Sequence, residues 1–323
     1  MAIPSGLSAQ LMTAEEVTYG TPVTTDRGFE FRDESLKLEV ERIESTALRS
    51  GTRVLRSDRW AVGKKNVTGD ITMDLLNKSQ GRWWKHAFGG VATSQPDAAG
   101  NPTVYLHTFT PGDLPVGQTI QVGRTDVGGT TRPFTYHGCR VASWELACAV
   151  GDIASVKFSI LGEDEDTSTA LASISYPSSL AMMTFVQGSV TIAGTAANIK
   201  SATVSGNNGL AEDRYFLGSQ LRKAPLENAL REYTGQFEAE FEDLTAYNRF
   251  VNGTEASVVL LFQGATISTT YKYEVKVTMN VRFDGETPNV GGPEIVPLNI
   301  PFKVVDNSTT SIKVEYQTTD TTP

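Results

Sequence analysis

Only two cysteines and three histidines occur in the 323 residues, and this scarcity removes several kinds of chemistry at once. Cys139 and Cys148 stand at an odd offset, which puts them on opposite faces of any continuous strand. They read as small buried hydrophobes, with neither a disulfide nor a metal pair expected. His86, His107 and His137 show no His-x-x-x-His or His-Glu-x-x-His spacing, the pattern that aims two imidazoles at one metal. No Gly-x-Ser-x-Gly, P-loop or Gly-x-Gly-x-x-Gly is present, so nucleophile-elbow and phosphate-cradling readings have no foothold. The chain is therefore expected to be no enzyme and to need no cofactor or metal. Long apolar runs are missing as well, and MAIPSGLSAQLMTAEEV lacks the basic and apolar regions of a signal peptide. A soluble chain without membrane binding or an export signal is the expectation. Positive charge is short too: 28 Lys and Arg face 37 Asp and Glu, a net charge of -9 that would repel nucleic acid phosphates.

What is present is alternation. In YKYEVKVTMNVRFDG the residues Tyr271, Tyr273, Val275, Val277, Met279, Val281 and Phe283 alternate with polar neighbours, as a strand with one wet face requires. The same period runs through segments that begin at Leu36, Gly69, Ser155, Ser189 and Gln236. A mainly antiparallel β fold follows. Two short segments break the period. NKSQGRWWKHAFGG spaces Trp84 and Phe88 by four, and DLTAYNRFVNG spaces Leu244, Tyr247 and Val251 at helical intervals, with Phe250 beside them and Gly89 and Gly253 as stops.

These signals occur twice. VTGDITMDL from residue 67 and YTGQFEAEF from residue 233 superpose when Gly69 is set on Gly235, which pairs Ile71 with Phe237, Met73 with Ala239, Leu75 with Phe241 and Trp84 with Phe250. The expected organisation is an arm over residues 1–27, a first domain over 28–165, a Ser/Thr-rich linker over 166–180, a second domain over 181–307 and a polar tail over 308–323. The first copy carries a surplus of about 25 residues after its helix, read as a Pro, Gly and Asp-rich loop. The acidic run GEDED at 162–166 reads as a solvated stretch where a strand meets the linker.

Two charged groups stand out. Thr72 and Asp74 in the first copy, and Glu238, Glu240 and Glu242 in the second, share the polar face of equivalent strands. Like charges two apart on one strand repel modestly, so their recurrence favours a role for the face as a whole. Arg49, Arg53, Arg56 and Arg59, with Arg214, Arg222 and Lys223, fall in two long loops, around residues 46–65 and 212–231, where basic tips would meet acidic rims of a neighbouring copy. Trp84 and Trp144 are assigned to the core, and Trp60 to an interface.

GLSAQLMTAEEVTYGTPVT, ESLKLEVERIES, HTFTPGDL, FTYHGCRVASWELACAVGDIASVKF, EYTGQFEAEFEDLTAYNRFVNGTEA and RFDGETPNVGGPEIVPLNIPFK, in this order over nearly the whole chain, resemble the major tail tube proteins of long-tailed, non-contractile bacteriophages. The resemblance implies a β-sandwich with one flanking α-helix, whose inner sheet joins its neighbours into a ring-shaped β-barrel of six such domains; the repeat supplies two tandem domains per chain, a departure from single-domain members. Thr72, Asp74, Glu238, Glu240 and Glu242 would then face the lumen. Arg49, Arg53, Arg56, Arg59, Trp60, Arg214, Arg222 and Lys223 would lie between subunits or rings. The implied partners are the chain itself in helically stacked rings, which two domains per chain make trimeric and pseudo-hexameric, a tape measure protein in the lumen, and tail terminator and distal tail or baseplate proteins at the ends. DNA would pass without specific binding. The implied location is the virion tail, with assembly in the host cytoplasm. The alternatives are a non-polymerising carbohydrate-binding or adhesin β-sandwich and the inner tube of a contractile injection system.

Overall fold

The computed structural model describes residues 5–285, 287–309 and 311–323, so residues 1–4 of the expected arm lie outside it. The fold is mainly β, as the alternation requires, with antiparallel strands and two short helices. The first half contains β1 (Gln10–Glu15), β2 (Arg27–Phe29), β3 (Asp33–Glu34), β4 (Lys37–Glu44), β5 (Trp60–Asp74), α1 (Gly81–Phe88), β6 (Gly89–Ser94), β7 (Tyr105–Pro111), β8 (Gln118–Thr125), β9 (Thr131–Ala149), β10 (Ser155–Gly162) and β11 (Asp164–Asp166). The second contains β12 (Gly188–Ile192), β13 (Thr195–Ala197), β14 (Ile199–Asn207), β15 (Glu232–Glu240), α2 (Thr245–Asn252), β16 (Ala256–Ser268), β17 (Tyr271–Phe283), β18 (Pro297–Val304) and β19 (Ile312–Thr318).

Each half has an inner and an outer layer. In the first, β3 and β4 pair with β5, β5 with β10 and β10 with β9, while β2, β1, β8, β9 and β11 form the outer layer in that order. In the second, β14, β15 and β18 are inner, and β13, β12, β16, β17 and β19 are outer. The long strands β9 and β17 turn the corner between layers. A single apolar cluster, from Leu11 through Trp84, Phe158 and Leu146 to Phe237, Val277 and Tyr316, fills both halves.

The repeat extends to strand register. Gly69, Ile71 and Met73 stand opposite Ile160, Phe158 and Val156; Gly235, Phe237 and Ala239 stand opposite Phe302, Ile300 and Leu298 in the same relation. Both glycines sit where a side chain has no room. A Cβ on Gly69 would lie 2.5 Å from Leu36 Cα, and one on Gly235 would lie 2.5 Å from the Thr203 carbonyl oxygen. The preceding strand keeps its phase but is displaced by two residues from the ungapped alignment: Val204 faces Gly235, whereas Leu38 faces Val67, so Leu36 at Gly69 is the counterpart of Val204.

Several segments expected to be irregular are strands. The surplus of the first copy is the hairpin β6–β7, which adds to β19 of the second half, with His107, Phe109 and Val104 buried. The expected polar tail contains β19, whose Ile312, Val314 and Tyr316 alternate into the core between β17 and β7. The expected arm contains β1, paired with β8. GEDED closes β10 and forms β11, with the Asp164 carboxylate 2.9 Å from Lys65 Nζ, so it is no solvated run. Short polar spacing hides such strands, because their pairing partners are distant in sequence. Beyond Asp166, the end of β11, the linker carries no strand, yet Gln121 pins it by donating to the Ala170 carbonyl at 3.1 Å and accepting from the Ala172 amide at 2.9 Å.

The helices stand where the periodicity placed them, but their burial differs. In α1, Trp83 stacks on Phe158 at 5.3 Å, and Trp84 meets Phe158 and Trp144 edge-on at 5.6 and 5.4 Å. α2 ends at left-handed Gly253 with no fully buried residue, and Phe250 is only partly buried against the core.

Candidate functional site

The inner layers of the two halves meet within one chain. β9 pairs with β14 from Ser143 opposite Asn207 to Ala149 opposite Ser201, which makes β5, β10, β9, β14, β15 and β18 one continuous sheet. Residues directly opposite in a sheet point to the same side. One face carries Ile71, Met73, Val156, Phe158, Leu146, Val204, Phe237 and Ile300, all buried in the core. The other face is read along rows that cross the seam. One row is Thr72, Lys157, Glu145, Ser205, Thr234 and Lys303; the next is Asp74, Ser155, Ala147, Thr203, Gln236 and Pro301. A third is Asp70, Ser159, Ser143, Asn207 and Glu232.

This face is rich in hydroxyls and carboxylates. Glu238 lies opposite Ser201, whose hydroxyl donates to its carboxylate at 3.2 Å. Much of the negative charge is met locally: Asp74 pairs with Arg32, Glu232 with Lys303, Glu240 with Lys200 at 2.9 Å, and Glu145 with Lys157 at 3.9 Å. Asp33 adds a carboxylate at the β3 edge and accepts from the Thr72 hydroxyl at 3.0 Å. The surface is thus polar and mildly acidic, with shallow recesses between Ser201, Thr203, Ser205, Thr234 and Gln236 and around Asp70, Ser143, Ser159 and Asn207. Thr72, Asp74, Glu238 and Glu240 share it, while Glu242 lies just past the end of β15 and accepts from Asn198 at 2.8 Å. Sequence reading missed Lys157, Glu145, Thr203, Ser205 and Lys303 on the same face. The alternation in SVKFSIL and SATVS held that information, but only pairing reveals that these strands share a sheet.

The basic residues divide. Arg49, Arg53, Arg56 and Arg59 occupy the loop 45–59 that joins β4 to β5; Arg56 is half-buried against Asp58, at 2.8 Å, and the other three are exposed. Trp60 opens β5, half exposed, with the Arg42 guanidinium 5.9 Å from its ring centre. The loop was expected to run to residue 65, but β5 already starts at Trp60. In the second half, Arg214 donates to the Ala224 carbonyl of its own loop and Lys223 is exposed. Arg222 is not a free tip cation: it is buried, donates to the Asn66 side chain and lies 5.8 Å from the Tyr215 ring centre. The loop that carries it folds down onto β5, where Tyr215 donates to the Lys65 carbonyl at 2.8 Å and Lys65 donates its amide to Gln220 at 2.9 Å.

Cys139 and Cys148 are free thiols. Among the described residues no group of three or more His, Cys, Asp or Glu is arranged to hold a metal ion, and no helix is long and apolar enough to cross a membrane. No curated protein matches the chain. A family model described as phage tail tube protein matches residues 6–304.

Proposed function

The chain belongs to the phage tail tube protein family, and from that membership we propose that it closes into rings, that the rings stack into the tube of a tail, and that the tube conducts the genome. The observation that carries this reading is the single inner sheet built from both halves, with an apolar side in the core and a polar, mildly acidic side outside it. In this reading each half is one tube domain and the β9–β14 seam is one of the contacts of the ring made inside a chain. Three chains then give six sectors with pseudo-sixfold symmetry. The covalent connection raises the effective concentration of one sector for the next.

The arithmetic of closure agrees. Seven inner strands per chain, with β3 and β4 counted as one, give about 21 in a ring of three chains, and at about 4.8 Å each a circumference of at least about 100 Å, a bore wide enough for a DNA duplex once side chains are added. A lining of hydroxyls and carboxylates keeps phosphates from adhering, because each neutralised phosphate adds affinity and slows transit. The bore holds the tape measure protein during assembly, terminator and distal tail or baseplate proteins cap the ends, and the loop around Arg49, Arg53 and Arg59 reaches the adjacent ring. The protein is structural, made in the host cytoplasm and carried in the virion. Electron microscopy of the purified chain tests the reading: tubes or rings with three chains per ring are expected, and a dispersed monomer at high concentration defeats it. Six chains per ring would keep the tube and reject the two-sector assignment.

A further inference from the structure

The two helices sit at equivalent places on the sheet, but only one of the two sites is filled. In the first half Trp83 stacks on Phe158 at 5.3 Å and meets Phe29 edge-on at 5.6 Å, and all three are buried. The repeat replaces each of them by a smaller or polar residue. With Trp84 set on Phe250, Arg249 falls on Trp83, and Ile300 takes the strand position of Phe158. Ala197 takes that of Phe29, because Val190 lies between Ala197 and Leu260 as Leu11 lies between Phe29 and Val122. Ala239 likewise stands for Met73. What remains in the second half is an open groove of about 340 Å³ between α2, β13 and the ends of β15 and β18. Ile192, Ala197, Ala239, Leu298 and Ile300 form its floor, and Glu240, Glu242, Asp243 and Arg249 its rim. Ala239, Leu298 and Ile300 keep 6–7% exposure there, whereas their counterparts Met73, Val156 and Phe158 have none. Lys200 already holds Glu240 at 2.9 Å, so Glu242 and Asp243, both exposed, are the acids on offer.

We propose that this groove receives the tip of the loop 45–59 from a second copy of the chain in the adjacent ring, with Leu48 in the place that Trp83 and Phe29 fill in the first half, and Arg49 and Arg53 against Glu242 and Asp243. This rests on the tube reading and names the site on which the loop lands. The two surfaces lie at opposite ends of the sheet. Glu240 faces Pro297 beyond the row of Asp74, where β5 finishes, and the loop leaves β4 at the other end, where β5 starts. The 15 residues of β5 between them extend about 50 Å. In a bore lined by this sheet, those ends look to the two neighbouring rings. The tip is presented on a turn: the Thr52 amide donates to the Arg49 carbonyl at 3.1 Å, Gly51 is left-handed at φ 79°, and Leu48 beside it is fully exposed. A solvated leucine flanked by two arginines matches an apolar floor beside two carboxylates in both hydrophobicity and sign. Burial of the leucine supplies what exposed ion pairs alone do not. Among the described residues each chain has one such loop and one such groove, so the contact repeats once per chain around a ring. The first half, with Trp83 in place, offers no second landing site.

The first test uses the full chain with Cys148→Ser, Leu48→Cys and Ala246→Cys, assembled and treated with a short bis-maleimide; Ala246 lines the groove. A covalent ladder that grows with tube length is expected, because each link joins one ring to the next, and only uncrosslinked chain is expected from the same variant held as single chains. A ladder that stops at three or six chains puts the contact within a ring. Tubes without a ladder, though both thiols label in the single chain, put the tip elsewhere. Either result overturns the proposal and leaves the tube reading standing. The second test fills the groove from within by Ala197→Phe with Arg249→Trp, which copies the packing of the first half. This chain should keep or raise its melting temperature and form rings that no longer stack; tubes of ordinary length from it overturn the proposal. A charge exchange covers the case in which the filled chain misfolds. Glu242→Arg with Asp243→Arg should stop stacking, and adding Arg49→Glu with Arg53→Glu should restore tubes; no loss, or loss without rescue, overturns the proposal. A wild-type chain that forms neither rings nor tubes defeats the tube reading itself.

Discussion

At the scale of single residues, two expectations separate positions that sequence alignment makes equivalent. Trp84 and Phe250 occupy matching helix positions, but Trp84 is fully buried among Phe158, Trp144 and Phe88, whereas Phe250 only leans on the core. Trp84→Ala should cost about 3–5 kcal/mol, and Phe250→Ala about 1–2 kcal/mol. Denaturant midpoints of the two variants check the order, and equal losses would mean that α2 is as buried as α1. Glu15 gives a pH dependence. Its contact with His86 Nε2 at 3.6 Å, and then the Lys85 ammonium at 2.8 Å, outweigh burial and hold the carboxyl down at about 2 from the usual 4.5. A depressed carboxylate contributes stability that is full above the unfolded value and is lost as pH falls from about 4.5 towards about 2. Glu15→Gln should therefore lower stability most above about pH 4.5, where the contribution is full, and flatten the acid limb towards about pH 2, where wild type and variant converge; an unaltered acid limb would remove Glu15 from the account.

At the scale of elements, the two long connections have different roles. The loop 45–59 leaves the body of the chain, with Leu48 and Val54 almost fully solvated beside Arg49 and Arg53. The loop of the second half instead packs back on β5 through Tyr215, Gln220 and the buried Arg222. Exposed ion pairs are individually weak, so a stacking contact made by the first loop needs repetition around a ring. Replacing residues 46–58 by a short Gly-containing turn should leave the fold and the ring intact and yield single rings in place of tubes. Tubes of ordinary length from that variant would take the loop out of stacking. The same deletion in the second half is expected to unfold the base of β5, because those side chains are internal supports.

At the scale of the whole molecule, the inner sheet sets the electrostatics of the proposed bore. Asp74→Lys, Glu238→Lys and Glu240→Lys together reverse three carboxylates on one face and place new cations beside Arg32 and Lys200. Rings should still form, since the apolar side of the sheet is untouched. DNA ejection from particles carrying the variant should slow at low salt and recover at high salt, as phosphate contacts do. Ejection at the wild-type rate, with no new salt dependence, would place these carboxylates away from the path of DNA.

The sequence by itself determined the β class, the two helices, the matching glycine-containing strands around Gly69 and Gly235, and the wet side of the strands that alternate. These are local properties: side-chain direction in a strand has a period of two, and a helix declares itself within two turns. Tertiary structure decided what required distant partners. β19 is polar at every second position and became a central strand only because β17 and β7 flank it. Arg222 has the composition of a loop tip and became internal because Asn66 and Tyr215 close over it. The continuity of the polar face depends on β9 meeting β14, a pairing between halves that no local pattern specifies, because either strand would present the same alternation to any antiparallel edge.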